Sequence, residues 1–235
     1  MAEPALQIPP MDKPALSVAE VVSLAEFVAR RAEKFGSVVS DLEAGVCARA
    51  AETAESLARA GFTPKDQEAA AHKAAAQALT RVTNASSETR WETLRELNAA
   101  ADSLSTTSQL WASPVTVLAR AGLGSPERTA YMQQLTGAAS VELRQMAAFA
   151  AASNNKVLGA ALVSIVDRMP AKSRPFSANE LADTLVGKEV REMQDAIAAV
   201  RNAAQRAIVR NREFERGRVS PLDRVKLALN NPNKE

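Results

Sequence analysis

The sequence predicts an all-α protein, and three observations carry that reading. Ala supplies 48 of the 235 residues, helix starts are written repeatedly in the local code, and no alternating β-branched run is bounded by hairpin turns. Ala has the highest helix propensity and loses almost no side-chain entropy on folding. With aromatics at 4% and only nine Gly, the helices are expected to approach closely through small side chains, as a multi-helix bundle or array. Hydrophobic residues at 46% against 24% charged provide enough apolar surface to offset chain entropy.

The starts come first. Thr63-Pro64, Ser113-Pro114, Ser125-Pro126 and Ser220-Pro221 each precede an apolar repeat. The hydroxyl accepts from an orphan backbone N–H, and Pro fits the first helical position. Ser17 with Glu20 and Ser177 with Glu180 have capping-box spacing. The stops follow from Gly36, Gly61, Gly122, Gly137, Gly187 and Gly217, placed where C-terminal caps are wanted. Joining starts to stops predicts about eleven helices, near 17–35, 38–60, 64–82, 87–105, 114–121, 126–136, 140–152, 155–168, 178–186, 188–216 and 221–229.

The predicted organisation is an extended Pro-rich arm over 1–16, a long-helix bundle over 17–105, a short-helix lobe over 106–187, and a long basic helix with a terminal amphipathic helix over 188–235. Pro stiffens the arm and lowers the entropy lost if it docks. Trp91 and Trp111 bracket the 106–113 boundary and read as packing anchors. Val18, Val21, Ala25, Val28, Ala32 and Phe35 form one apolar seam. A second runs through Val190, Met193, Ile197, Val200, Ala204, Ala207, Asn211 and Phe214. Such three- and four-residue steps suit either an internal core or an intermolecular coiled coil, and a lone polar Asn211 on a seam suits a register-fixing residue.

Catalytic chemistry finds no foothold in the pattern. General acid–base work favours a positioned His, and the single His72 sits in an Ala-rich helix beside Glu68 and Lys73. Cys47, among Val46, Ala48 and Ala50, reads as a buried small residue, without the basic or helix-terminal setting of a reactive thiolate. Gly122-Leu123-Gly124 lacks the preceding strand and the Lys of a phosphate loop. No catalytic, metal or cofactor site is therefore expected, and the chain is not expected to be an enzyme. The N-terminus lacks the basic and apolar regions of a signal peptide, and no apolar run reaches the roughly 20 residues of a membrane span. A cytoplasmic location, or one within an intracellularly assembled particle, is expected.

The functional interest moves to the ends. Residues 201–235 carry nine basic and four acidic side chains, a surplus of five in a chain of net charge +2. Arg201, Arg206, Arg210, Arg212, Arg216 and Arg218 are suited to bidentate pairing with carboxylate or phosphate. At roughly 100° per residue, Arg201, Arg212 and Arg216 share one side while Arg206 and Arg210 lie nearly opposite. Leu222, Val225 and Leu229 then give a short apolar face, of the kind used for docking or for folding back to cap a bundle. The expectation is a structural or assembly protein that docks onto other proteins, as a homo-oligomer or larger assembly, with a phage-type virion or assembly component the concrete form. Two alternatives stand. One is a DNA-binding or regulatory protein using residues 176–226, within which Phe176 to Val200 has the outline of a helix-turn-helix with its turn at Gly187, although Glu189 and Glu192 would repel phosphate. Ala-rich helices also suit an amphipathic coat on a lipid or polymer surface.

Overall fold

The computed structural model describes residues 16–217. Among them are no strands, and seven α-helices of six residues or more. The helices are α1 (Val18–Arg59), α2 (Pro64–Ser103), α3 (Ser105–Leu110), the five-residue helical turn α4 (Pro114–Leu118), α5 (Pro126–Leu135), α6 (Ser140–Ala152), α7 (Lys156–Val166) and α8 (Ala178–Glu215), with a 3-10 turn at Ala171–Ser173 between α7 and α8. The all-α expectation holds. The expected arm over 1–16, except its last residue, and the expected helix over 221–229 lie outside the described residues.

The expected helix starts are realised locally. The backbone N–H of Glu20 donates to Ser17 Oγ at 3.3 Å, and Ser17 N–H donates to Glu20 Oε2 at 2.7 Å, so both halves of the capping box form. Thr63, Ser113 and Ser125 accept from the N–H groups of Asp66, Thr116 and Arg128 at 3.2 to 3.3 Å. Asn155 caps α7 in the same way, accepting from Leu158 at 2.9 Å.

The expected count of eleven is too high because three of the breaks do not occur. Gly36 lies inside α1, the segment around 83–86 lies inside α2, and Gly187 lies inside α8. A mid-helix Gly costs about 1 kcal/mol relative to Ala, a cost that the flanking apolar stripe outweighs. Phe35 and Val39 are both buried across Gly36, and Val186 and Val190 across Gly187. Within α2, Ser86 Oγ donates to the Val82 carbonyl at 2.7 Å and Ser87 Oγ to the Asn84 carbonyl at 2.9 Å. Both hydroxyls serve the continuing helix. Gly61, Gly122, Gly137 and Gly217 do take positive φ, as C-terminal caps require.

The described chain forms two compact units. One comprises residues up to 23 and 103–197. Its centre is α7, whose Leu158, Gly159, Ala160, Ala161, Leu162, Val163 and Val166 are buried, the mark of a helix covered on all sides. It packs against α4, α5 and α6. At Gly159 a Cβ would lie 2.3 Å from Leu185 Cδ1, so the buried Leu185 side chain of α8 occupies the space that a larger residue on α7 would need. Arg128 fastens the loop, its guanidinium donating to the Ala119 carbonyl at 2.7 Å and to Ser164 Oγ at 2.9 Å.

The other unit comprises residues 24–102 and 198–217. Its core is built from Val28, Phe35, Val39 and Val46 of α1, Leu94 and Leu97 of α2, and Val200, Ala204, Ala207 and Phe214 of α8. The α8 seam read from the sequence is buried along its full expected length, from Val190 to Phe214. It is internal to the chain. Between Val46 and Arg90, by contrast, no side chain is buried. There the two helices form an Ala-rich antiparallel hairpin, joined across residues 60–63, with half-buried positions at three- and four-residue steps.

Two single-residue expectations fail. Cys47 is exposed, because it follows Val46, the residue that occupies the buried stripe, and one residue rotates the side chain by roughly 100°. Trp91 is 49% exposed, since Arg90 takes the inward position beside it.

Candidate docking surface

The second unit holds a buried polar cluster that positions a surface groove. Arg90 is 2% exposed. Its Nε donates to Ser86 Oγ at 2.9 Å and its Nη2 to the Thr83 carbonyl at 3.0 Å. Nη1 donates to Asn211 Oδ1 and, at 3.1 Å, to Glu215 Oε1. Asn211 Nδ2 donates to the same carboxylate oxygen at 3.2 Å, and the guanidinium carbon lies 4.9 Å from the centre of the Phe214 ring. Burying a charge is unfavourable unless it is paired and hydrogen-bonded. Here it is both.

Immediately outside this cluster, α2 and α8 leave an open groove of about 360 Å³. Trp91, Leu94 and Ala99 line it from α2, and Ile208 and Asn211 from α8. Arg95, Arg212, Asn98 and Asp102 complete it. The α2 residues Trp91, Arg95, Asn98 and Asp102 recur at helical spacing, so one stripe of that helix forms one wall.

The structure divides the basic set expected to bind a partner. Arg210 is withdrawn from it, because its Nη2 donates to Glu43 Oε2 at 2.5 Å and to Ser40 Oγ at 3.2 Å on α1. Arg206 is exposed, its Nε turned to the Asn202 carbonyl at 3.3 Å. Arg201, Arg212 and Arg216 are exposed, and Arg212 stands at the groove. Arg218, Leu222, Val225 and Leu229 lie outside the described residues.

Sequence reasoning passed over Arg90, although its position four residues before Leu94 and seven before Leu97 places it on the α2 seam. The helix-turn-helix outline is overturned, because α8 runs without a turn through Gly187. His72 is an exposed helix residue, with Nε2 3.8 Å from Glu68 Oε1. Among the described residues no three His, Cys, Asp or Glu side chains gather as metal ligands, and no helix is long and apolar enough to cross a membrane. No family model, curated protein or solved structure matches the chain.

Proposed function

We propose that the chain is a non-catalytic assembly protein that docks onto acidic protein surfaces through its terminal segments and the outer side of α8. The observation that supports this reading is the display of Arg201, Arg212 and Arg216 on one side of α8, exposed and without an intramolecular side-chain partner among the described residues. Fixed on a helix whose opposite stripe is buried, these guanidinium groups are preorganised to meet carboxylates on a second surface. The Pro-rich N-terminal segment supplies a further attachment, and tethered weak contacts strengthen one another through effective concentration. A component of a phage-type virion or its assembly is the concrete form proposed.

Co-purification from the source cell, with the full chain and with its Arg201→Glu, Arg212→Glu, Arg216→Glu variant, tests the proposal. The expected result is a stoichiometric protein partner retained by the native chain and lost from the variant, with unchanged helical circular dichroism. Equal recovery by both would remove the basic side of α8 from the proposal.

A further inference from the structure

We propose that the outer side of α6, with the cationic loop that follows α7, docks an acidic amphipathic helix of a partner protein. The inner side of α6 is already used, for Leu143, Ala147 and Ala150 are buried. At roughly 100° per residue, Arg144, Ala148, Val141, Ala152, Phe149 and Glu142 follow one another across the opposite side, and all are exposed. Val141 at 65% and Phe149 at 59% are two of the three most exposed large apolar side chains among the described residues. Neither contributes to the core.

The loop over 167–175 lies against the Arg144 edge of this face. Arg144 itself joins the two, its Nε donating to the Pro175 carbonyl at 2.7 Å. Arg174 closes the loop, with Nε donating to the Met169 carbonyl and Nη2 to the Asp167 carbonyl, both at 3.2 Å. Met169 and Phe176 pack against the core and anchor it. On this fastened loop Arg168 and Lys172 are exposed and take no side-chain partner among the described residues. Four cations thus border the face, against the one carboxylate of Asp167, which Arg174 Nη1 approaches at 3.7 Å.

The chemistry of the occupant follows from this asymmetry. An apolar strip runs between a cationic edge and the Glu142 edge, so it is matched by a helix with an apolar stripe and carboxylates along one flank. Ala148 and Ala152, four residues apart, place no bulk between the helices, so their axes can come to the near end of about 8–10 Å. The 13 residues of α6 span about 20 Å, room for roughly three to four turns of a partner. Such a contact belongs to the small, transient class. An anionic membrane fits less well, because Glu142 on the same face would meet its headgroups, and nucleic acid would leave Val141 and Phe149 unused. The surface does not involve the arginines of α8, so its failure leaves the proposed function standing.

Two synthetic helical peptides with the same Leu stripe test the proposal, one with Glu along one flank and the other with Lys in place of each Glu. Each is titrated into the full chain by fluorescence anisotropy, and the contact is mapped by amide NMR shifts. The Glu peptide is expected to bind with micromolar affinity, at least about tenfold tighter than the Lys peptide, to weaken as salt is raised, and to shift amides of 141–152 and 168–174. The Val141→Ser, Phe149→Ser variant and, separately, the Arg168→Glu, Lys172→Glu variant change only exposed positions. Each should weaken binding by at least about fivefold with unchanged circular dichroism. Failure of the Glu peptide to bind, equal affinity for the two peptides, or binding indifferent to both variants would overturn the proposal. So would sedimentation with phosphatidylglycerol vesicles, or self-association of the chain, that is lost in Val141→Ser, Phe149→Ser, since these would assign the face to lipid or to a second copy.

Discussion

Arg90 of α2 donates a hydrogen bond to Asn211 of α8 across 121 positions of sequence, and both side chains are almost wholly buried. Each occupies the inward stripe of its own helix. Asn211 is the polar interruption in the long α8 seam, and Arg90 is the corresponding interruption in α2. Buried polar pairs of this kind favour one helix register over others, because sliding either helix strands a charge without partners.

Arg90→Ala is expected to destabilise the protein by about 3 kcal/mol, since it leaves Asn211 Oδ1 without its donor and the Glu215 carboxylate without its cation. The combined Arg90→Met, Asn211→Leu variant is expected to lose less than Arg90→Ala alone, because it removes both buried polar groups together. Urea unfolding followed by circular dichroism measures both. A double variant no more stable than Arg90→Ala would show that packing, and not charge burial, sets the cost.

Two helical glycines are expected to respond to alanine with opposite signs. At Gly36 a Cβ meets nothing within 4 Å, so Gly36→Ala should stabilise by about 0.5–1 kcal/mol through helix propensity. At Gly159 the same methyl falls 2.3 Å from Leu185 Cδ1, and Gly159→Ala should destabilise by about 1–3 kcal/mol through overpacking. Thermal unfolding of the two variants beside the native chain decides the signs.

These positions also show how much was legible in the sequence. Ser17, Thr63, Ser113 and Ser125 act as caps because capping is local, fixed by residues three positions apart. The α8 seam was equally legible, since burial follows helical periodicity. Gly36 and Gly187 misled because a Gly signals a stop only where the apolar stripe also ends, and at both sites it continues. The groove was not legible. It depends on Arg90 turning inward and leaving Trp91 outside, a choice made by Asn211, Glu215 and Phe214 far along the chain. The basic set was half legible, for Glu43 on α1 takes Arg210 out of it.

That division of the arginines has a stability consequence. Arg210 and Glu43 are each about four-fifths covered, so Arg210→Ala should destabilise by about 1–2 kcal/mol through loss of a charge-assisted hydrogen bond. Arg201→Ala and Arg212→Ala, both exposed, should stay within about 0.5 kcal/mol of the native chain. Equal losses at all three positions in urea titrations would contradict the assignment.

At the start of α1, the Ser17 backbone N–H and then its hydroxyl hold the Glu20 carboxyl below the usual carboxylate range. A carboxyl whose pKa is depressed on folding stabilises above its unfolded pKa and loses that effect as pH falls through the folded value. The first turn of α1 should therefore fray on acidification below the normal Glu range. A Glu20 side-chain titration by NMR should show the depressed midpoint and only a partial return toward normal in Ser17→Ala, which keeps the backbone N–H and removes the hydroxyl.

The hairpin between Val46 and Arg90 should be the fastest-opening part of the described fold. The apolar part of its half-buried stripe is mostly Ala, with Ala50, Ala54, Ala70, Ala71, Ala74, Ala75 and Ala78 contributing and only Leu57, Leu79 and Val82 as larger members. Burying a methyl group removes far less apolar area than burying Leu, so each turn is held weakly. In α7, by contrast, Leu158, Leu162, Val163 and Val166 are buried within one short helix. Local opening free energies follow such differences in buried apolar contact. Hydrogen–deuterium exchange should show amides of 50–80 exchanging at least about tenfold faster than those of 160–166. Replacing Ala71 and Ala74 with Leu should slow the hairpin if the Ala seam sets its rate, and leave α7 unchanged. Equal protection in the two regions would mean that the hairpin is held by contacts outside the described residues.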